Sequence, residues 1–189
     1  EGVMGYYDGF GGKSNLASTH HVATLLTSPV ILILDASKTS RSIAATALGF
    51  TKFHKNSRIS GIILNKIGSK KHEDLCRTAL LNLKIPIIGV IPKNPSANLE
   101  SRHLGLIPVR EQKDLHDKIK QISKEISDYL NFNIIEKICK KTSSLEKIKL
   151  VKSKKSKISV AIALDNSFNF YYHDNIEALR REGAKIKFF

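Results

Sequence analysis

Gly12-Lys13-Ser14 is the first stretch that invites a chemical reading, because a Gly-Lys-Ser triplet ends the loop that cradles nucleotide phosphates. That loop also needs a glycine five residues before its Gly-Lys and a buried strand leading into it. Tyr7 holds the glycine position, and Val3-Met-Gly-Tyr-Tyr7 makes a poor strand, so the triplet reads as a decoy. Gly9-Phe-Gly11-Gly12 fails the dinucleotide fingerprint in a similar way, since Ser14 stands where its third glycine belongs. Glu1-Gly2-Val-Met-Gly5-Tyr-Tyr-Asp8-Gly9 sets two carboxylates on a glycine-rich backbone. Such a segment suits a hard cation and the close approach of phosphate, and it suits equally a surface turn with solvated acids.

Asp35-Ala36-Ser37 and Asn65-Lys66-Ile67-Gly68-Ser69 each follow an apolar run. Ligands of open parallel sheets collect outside the carboxyl ends of the strands, so polar residues there are better candidates than polar residues elsewhere. Each can also be a helix cap or turn residue. Of the seven histidines only His20 and His21 adjoin, and neighbours on a helix point to different sides, so no shared metal is expected. Cys76 and Cys139 have no CxxC partner and no glycine-flanked elbow. They read as ordinary thiols of a reducing, cytoplasmic compartment.

The elements that must position these residues follow from the apolar pattern. Runs at 30–34, 59–64 and 87–91 are rich in β-branched residues and do not alternate with polar ones, as in strands covered on both faces of a parallel sheet. Between them, Ser40 or Ser42 caps a helix through 43–48, and residues 72–83 put Leu75, Ala79, Leu80 and Leu83 on one stripe. The class is therefore α/β, a mostly parallel sheet flanked by helices. Residues 112–140 carry one long amphipathic pattern that closes a domain over 1–140. Residues 141–157 read as a Lys-rich linker, and 158–189 as one strand–helix–strand unit that opens a second domain.

Composition narrows the function. With 41% hydrophobic residues the chain has a core to bury, and its longest apolar run stops at Asp35, far short of the ~20 residues a membrane helix needs. Thirty-one Lys and Arg against 17 Asp and Glu give +14, which raises a nucleic-acid reading. Yet the densest cluster, 137–157, has no interleaved aromatics, and no helix-turn-helix pattern appears. A solvated basic linker is the preferred account, and a basic, non-catalytic RNA- or DNA-binding module is kept as the rival.

Taken in order, Glu1 to Gly9, Ser18-Thr19, Pro29 to Ser37, Ser40 to Ala45, Gly61 to Ser69 with His72, Pro86 to Pro92 and Arg102 to Leu106 resemble cobyrinic acid a,c-diamide synthase. Asp165 to Tyr172, Asp174-Asn175 and Gly183-Ala184 resemble the opening of that family's glutamine amidotransferase domain. The resemblance implies a P-loop-type sheet like that of dethiobiotin synthetase, joined to a class I glutamine amidotransferase. It implies ATP, Mg²⁺, glutamine and a corrinoid or related tetrapyrrole substrate, and a homodimer. Glu1 matches the acid that helps hold Mg²⁺, and Asn65 the asparagine that reads adenine. Asp8, Ser18 and Thr19 fall where the family lines its substrate pocket. His20 departs from the small residue expected there. Arg102 matches either a cation facing the substrate's carboxylates or a structural ion pair. The family's phosphate loop is expected upstream of Glu1 and its glutaminase cysteine and histidine downstream of Phe189. The chain then reads as a fragment truncated at both ends, with no catalytic residue of its own. Nickel-sirohydrochlorin a,c-diamide synthase is the alternative within the resemblance.

Overall fold

The computed structural model describes residues 4–93, 114–142, 144 and 158–189. In chain order the helices and strands are α1 (Thr19–Leu25), β1 (Val30–Asp35), α2 (Ser42–Lys52), β2 (Ile59–Ile67), α3 (Lys70–Leu80), β3 (Ile87–Pro92), α4 (Leu115–Ser127), α5 (Phe132–Cys139), β4 (Ser159–Ile162), α6 (His173–Arg181) and β5 (Lys185–Phe188). The chain divides into two compact units, Glu1–Asn98 with Gln121–Leu145 and Leu99–Lys120 with Glu146–Phe189. The fold is α/β, with parallel sheets flanked by helices.

In the first unit β1, β2 and β3 pair in that order, all parallel. Because side chains alternate across a strand, Leu32, Leu34, Ile62 and Leu64 turn one way and pack on Ile43 and Ala47 of α2 and on Cys76 and Leu80 of α3. Ile63 and Ile88 turn the other way and pack on Leu130, Ile134, Ile135 and Ile138 at α5. Each fully buried Leu or Ile contributes roughly 1.5–3 kcal/mol relative to leaving it exposed, so these two faces hold the strand ends in place.

The expectation that all three strands are covered on both faces holds for β2 and β3 but not for β1, where Ile33 is 61% exposed. Among the described residues α5 packs mainly on β2 and β3, and of β1 Ile31 joins that cluster. The long pattern at 112–140 is two helices. Between them the backbone turns aside to pair with β3, with Val90 N–H donating to the Tyr129 carbonyl at 3.1 Å and Asn131 N–H to that of Ile88 at 2.7 Å. Asn131 then caps α5 through its side chain. That approach needs Gly89, whose Cβ would stand 2.5 Å from Leu130 Cδ2. Neither Ser40 nor Ser42 caps α2 through its hydroxyl; Arg41 occupies the cap position without a side-chain bond. On α3 the buried positions are Cys76 and Leu80, while Leu75 is exposed.

The second unit has β4 and β5 parallel, in register from Ser159 opposite Lys185 to Ile162 opposite Phe188. The connecting α6 ends at Gly183, whose φ of 93° is the left-handed conformation that stops a helix. Among its described residues only Ile176 is buried.

Candidate functional site

The register of β1 against β2 sets Asp35 opposite Asn65 at the carboxyl ends of both strands. Asp35 Oδ1 accepts from Ser37 N–H at 2.8 Å and from the Ser37 hydroxyl at 2.6 Å, while Oδ2 accepts from Lys66 Nζ at 2.6 Å. The Lys66 bond, followed by the two from Ser37, holds the Asp35 carboxyl well below the usual carboxylate range. Lys66 itself has φ 59°, a left-handed conformation that costs an L-residue roughly 1–2 kcal/mol. Its N–H donates to Asn65 Oδ1 at 2.9 Å, which fixes the Asn65 amide plane. Among the described residues Asn65 Nδ2 donates to no partner, so the half-buried amide keeps a donor and a second acceptor lone pair for a ligand.

The loop that follows is closed by a helix start. Ser69 caps α3 by accepting from His72 N–H at 3.2 Å, and the His72 ring reaches back so that Nδ1 accepts from Gly68 N–H at 3.1 Å. Its Nε2–H donates across to the Thr39 carbonyl at 2.6 Å. Thr39 belongs to the turn after β1, where its N–H and hydroxyl both donate to the Ala36 carbonyl. The two strand-end loops are thus joined edge to edge.

The glycine-rich segment forms a second region. Asp8 Oδ2 accepts from Gly5 N–H at 2.9 Å, and Asp8 N–H donates to the Gly5 carbonyl at 3.0 Å, which closes a tight turn and leaves Asp8 exposed. Ser18 is 1% exposed, and its hydroxyl is spent on the start of α1: it accepts from His21 N–H at 3.1 Å and donates to the Asn15 carbonyl at 2.6 Å. Thr19 is half-buried in the first turn of α1. His20 is 3% exposed and sits between the Tyr6 hydroxyl and His54 Nδ1, each 3.1 Å from one ring nitrogen. Burial, then the neighbouring His54 and His21, hold its pKa below the usual histidine value. Tyr7 donates to the Phe50 carbonyl at 2.6 Å. A hollow of about 330 Å³ beside this turn is lined by Tyr6, Tyr7, Asp8, Ala45, Phe50 and Phe53, among others. A larger hollow, about 970 Å³, lies between α2 and α3 and is lined by none of the strand-end residues.

Among the sequence-derived candidates, Asn65 stands at the strand edge, Asp8 in the glycine-rich turn, and Ser18 and Thr19 at the start of α1. Glu1 and Arg102 lie outside the described residues, as does most of the Lys-rich segment. Gly12-Lys13-Ser14 sits in a turn with no strand before it among the described residues, and the next helix starts only at Thr19. No group of three metal-ligating side chains occurs among the described residues, no helix there is long and apolar enough to cross a membrane, and both cysteines are free. Burial pushes the Cys76 thiol up, which makes it a poor nucleophile. Sequence reasoning missed the His72 bridge and the Tyr6–His20–His54 chain. The first has a local signal, Ser-x-x-His at a helix start. The second joins residues 34 apart and has none.

Residues 6–107 match the CobQ/CobB/MinD/ParA nucleotide binding domain family. The cobyrinate a,c-diamide synthase of Synechococcus sp. is 39% identical over 98% of this chain and 42% of its own length. That of Picrophilus torridus is 40% identical over 100% of the chain and 43% of its own. The hydrogenobyrinate a,c-diamide synthase of Brucella ovis is 36% identical, again over 100% of the chain and 43% of its own. The chain therefore spans about two-fifths of the length of these curated relatives. No solved structure matches it. With a parallel sheet whose polar residues gather at the carboxyl ends of its strands, the chain belongs to the CobQ/CobB/MinD/ParA nucleotide-binding family, and the relatives that match it along nearly its whole own length carry the name a,c-diamide synthase.

Proposed function

We propose that the whole protein is an ATP-driven, glutamine-dependent amidoligase that converts the a and c carboxylates of a corrinoid ring, cobyrinic acid, to amides. The observation that carries this reading is the match of the entire chain to synthases of that name at 36–40% identity. Relatives named for cobyrinate, at 40% identity, and for hydrogenobyrinate, at 36%, both match across the whole chain, which supports the ring and its carboxylates as the substrate class over the central metal.

The chemistry asks for activation before attack. A carboxylate repels nucleophiles and has no leaving group, so its oxygen first takes the γ-phosphoryl of ATP and releases ADP. Ammonia hydrolysed from glutamine then attacks the acyl phosphate, a C–N bond forms, the C–O bond to phosphate breaks, and inorganic phosphate leaves. In this division of labour Asn65 reads the adenine edge with one donor and one acceptor, a pairing suited to the N6 and N7 atoms of the base. Asp8 and Thr19 face the macrocycle, and the aromatic-lined hollow at Tyr7, Phe50 and Phe53 takes part of its apolar face. The Ser18 hydroxyl holds the start of α1 in shape for them. We assign Glu1 to Mg²⁺ and Arg102 to a substrate carboxylate, and the whole protein to a homodimer. No covalent step is assigned to a residue of this chain, and the described residues alone do not complete a metal site.

The test is to incubate the whole protein with ATP, glutamine and, in turn, cobyrinic acid, hydrogenobyrinic acid and nickel-sirohydrochlorin, and to weigh the macrocycle. Two successive replacements of hydroxyl by amine on a corrinoid support the reading. Turnover of nickel-sirohydrochlorin alone moves the protein to the methanogen pathway, and an unchanged mass with all three removes the amidoligase.

A further inference from the structure

His72 does more than start a helix. A side chain at the third helical position that reaches back to a free backbone N–H is the logic of the capping box, usually supplied by Glu or Gln. Two histidines use it here. His21 Nδ1 accepts from Ala17 N–H at 3.2 Å behind the Ser18 cap, and His72 Nδ1 accepts from Gly68 N–H at 3.1 Å behind the Ser69 cap. A cap needs one acceptor and nothing more. His72 makes a second bond that a cap does not require, from Nε2–H to the Thr39 carbonyl at 2.6 Å, reaching 33 residues along the chain into the turn after β1.

That bond closes a ring of contacts around the candidate base reader. The ring runs from Ala36, whose N–H donates to the Asn65 carbonyl at 2.8 Å, along 65–68 to His72, across to Thr39, and back to Ala36 through Thr39 N–H at 3.2 Å. Inside it lies Lys66, held left-handed with its N–H on Asn65 Oδ1 and its ammonium on Asp35. A strained residue persists where its surroundings over-determine it. One imidazole tautomer, with the proton on Nε2, satisfies both partners of the ring, as the network requires.

We infer that His72 is a positioning residue for nucleotide recognition: by accepting from Gly68 N–H and donating to the Thr39 carbonyl, it clasps the Asn65–Gly68 loop to the turn after β1 and so aims the Asn65 amide at the base. The inference rests on the reading of Asn65 as the adenine contact. It separates loop aim from helix capping, because a glutamate at position 72 keeps an acceptor for the cap but has no donor for Thr39.

The experiment compares the whole wild-type protein with its His72→Glu variant in steady-state turnover with ATP and with GTP, the second nucleotide reporting base discrimination. The expected result is a KM for ATP raised about tenfold, the scale of one well-aimed hydrogen bond, with kcat changed by less than about threefold and the preference for ATP over GTP reduced. An unchanged KM and preference in a folded variant, or a fall in kcat alone, overturns the clasp while leaving the ligase reading intact. Wild-type protein that discriminates no base removes the adenine reading and the clasp with it. Imidazole ¹⁵N NMR of unmodified protein supplies a check that does not depend on the variant folding. A proton on Nε2 with slow exchange of the Gly68 amide is expected, and a proton on Nδ1 overturns the proposal.

Discussion

Helices α1 and α3 start on the same device, a serine whose hydroxyl accepts from the N–H of a histidine three residues on and whose histidine ring reaches back to the preceding loop. Their surroundings then diverge. Before α1 the chain is packed so closely that a Cβ on Gly9 would stand 2.2 Å from the Leu16 carbonyl and 2.9 Å from Ser18 N. His20, the next residue in, is buried among aromatic rings. Before α3 the loop is open: a Cβ on Gly68 would meet only His72 Nδ1, at 3.8 Å. Its polar groups face outward and are held by bonds to another loop rather than by packing. Close packing makes the first region a wall, and cross-loop hydrogen bonding makes the second a surface on which a ligand can find unspent donors and acceptors.

The difference is sharpest for glycine replacements, where the largest effect is expected. Gly9→Ala forces backbone against backbone and is expected to cost at least about 1–3 kcal/mol in chemical unfolding, whereas Gly68→Ala adds a methyl in ordinary contact and is expected to leave the midpoint unchanged. Equal losses at both positions would erase the contrast. Next in size, Asn65→Ala in the whole protein is expected to raise the KM for ATP about tenfold and leave that for the macrocycle alone, with Asp8→Asn doing the reverse. Steady-state kinetics with each substrate varied in turn reads both.

A smaller effect separates the regions by pH. The fold disfavours the His20 imidazolium, so the unfolded chain binds a proton there that the folded chain resists, and stability is expected to fall as the pH drops below 6.5. His20→Gln should flatten that acid limb of the thermal unfolding midpoint; an unchanged limb would place the acid sensitivity elsewhere. The smallest effect is expected at the strand edge itself. Asp35 and Lys66 are both half-exposed, and an exposed ion pair contributes little, so Asp35→Asn should leave the midpoint at neutral pH within error. Because the Asp35 carboxyl titrates below its ordinary 3.8, any contribution of the pair is lost only in strong acid.

The strands and their parallel order were legible in the sequence because their signal is local: β-branched runs of fixed length with helical periodicity between them. The place of Asn65 at a strand end was legible for the same reason, as a polar residue closing such a run. The split of 112–140 into α4 and α5 was not, since the amphipathic period continues through Tyr129 and Leu130 and only pairing with β3 breaks it. The exposure of Ile33 was hidden too, because a run of hydrophobic residues does not say which of its faces finds a partner. Ser18 was read for its place in a motif, and what the motif could not convey is that its buried hydroxyl also caps α1, donating to the Asn15 carbonyl and accepting from His21 N–H. His20 entered the sequence reading only as a departure, and its role depends on Tyr6 and His54, which no spacing rule brings together.

The central claim, that nucleotide base lies on the β1–β2 edge and not on the glycine-rich turn, is most directly tested by photolabelling the whole protein with 8-azido-ATP, whose azide adjoins N7, and mapping the modified peptide by mass spectrometry. The account predicts label within residues 65–72, suppressed by excess ATP. Label confined to the segment around Gly12-Lys13-Ser14, or label that excess ATP does not displace, would contradict it.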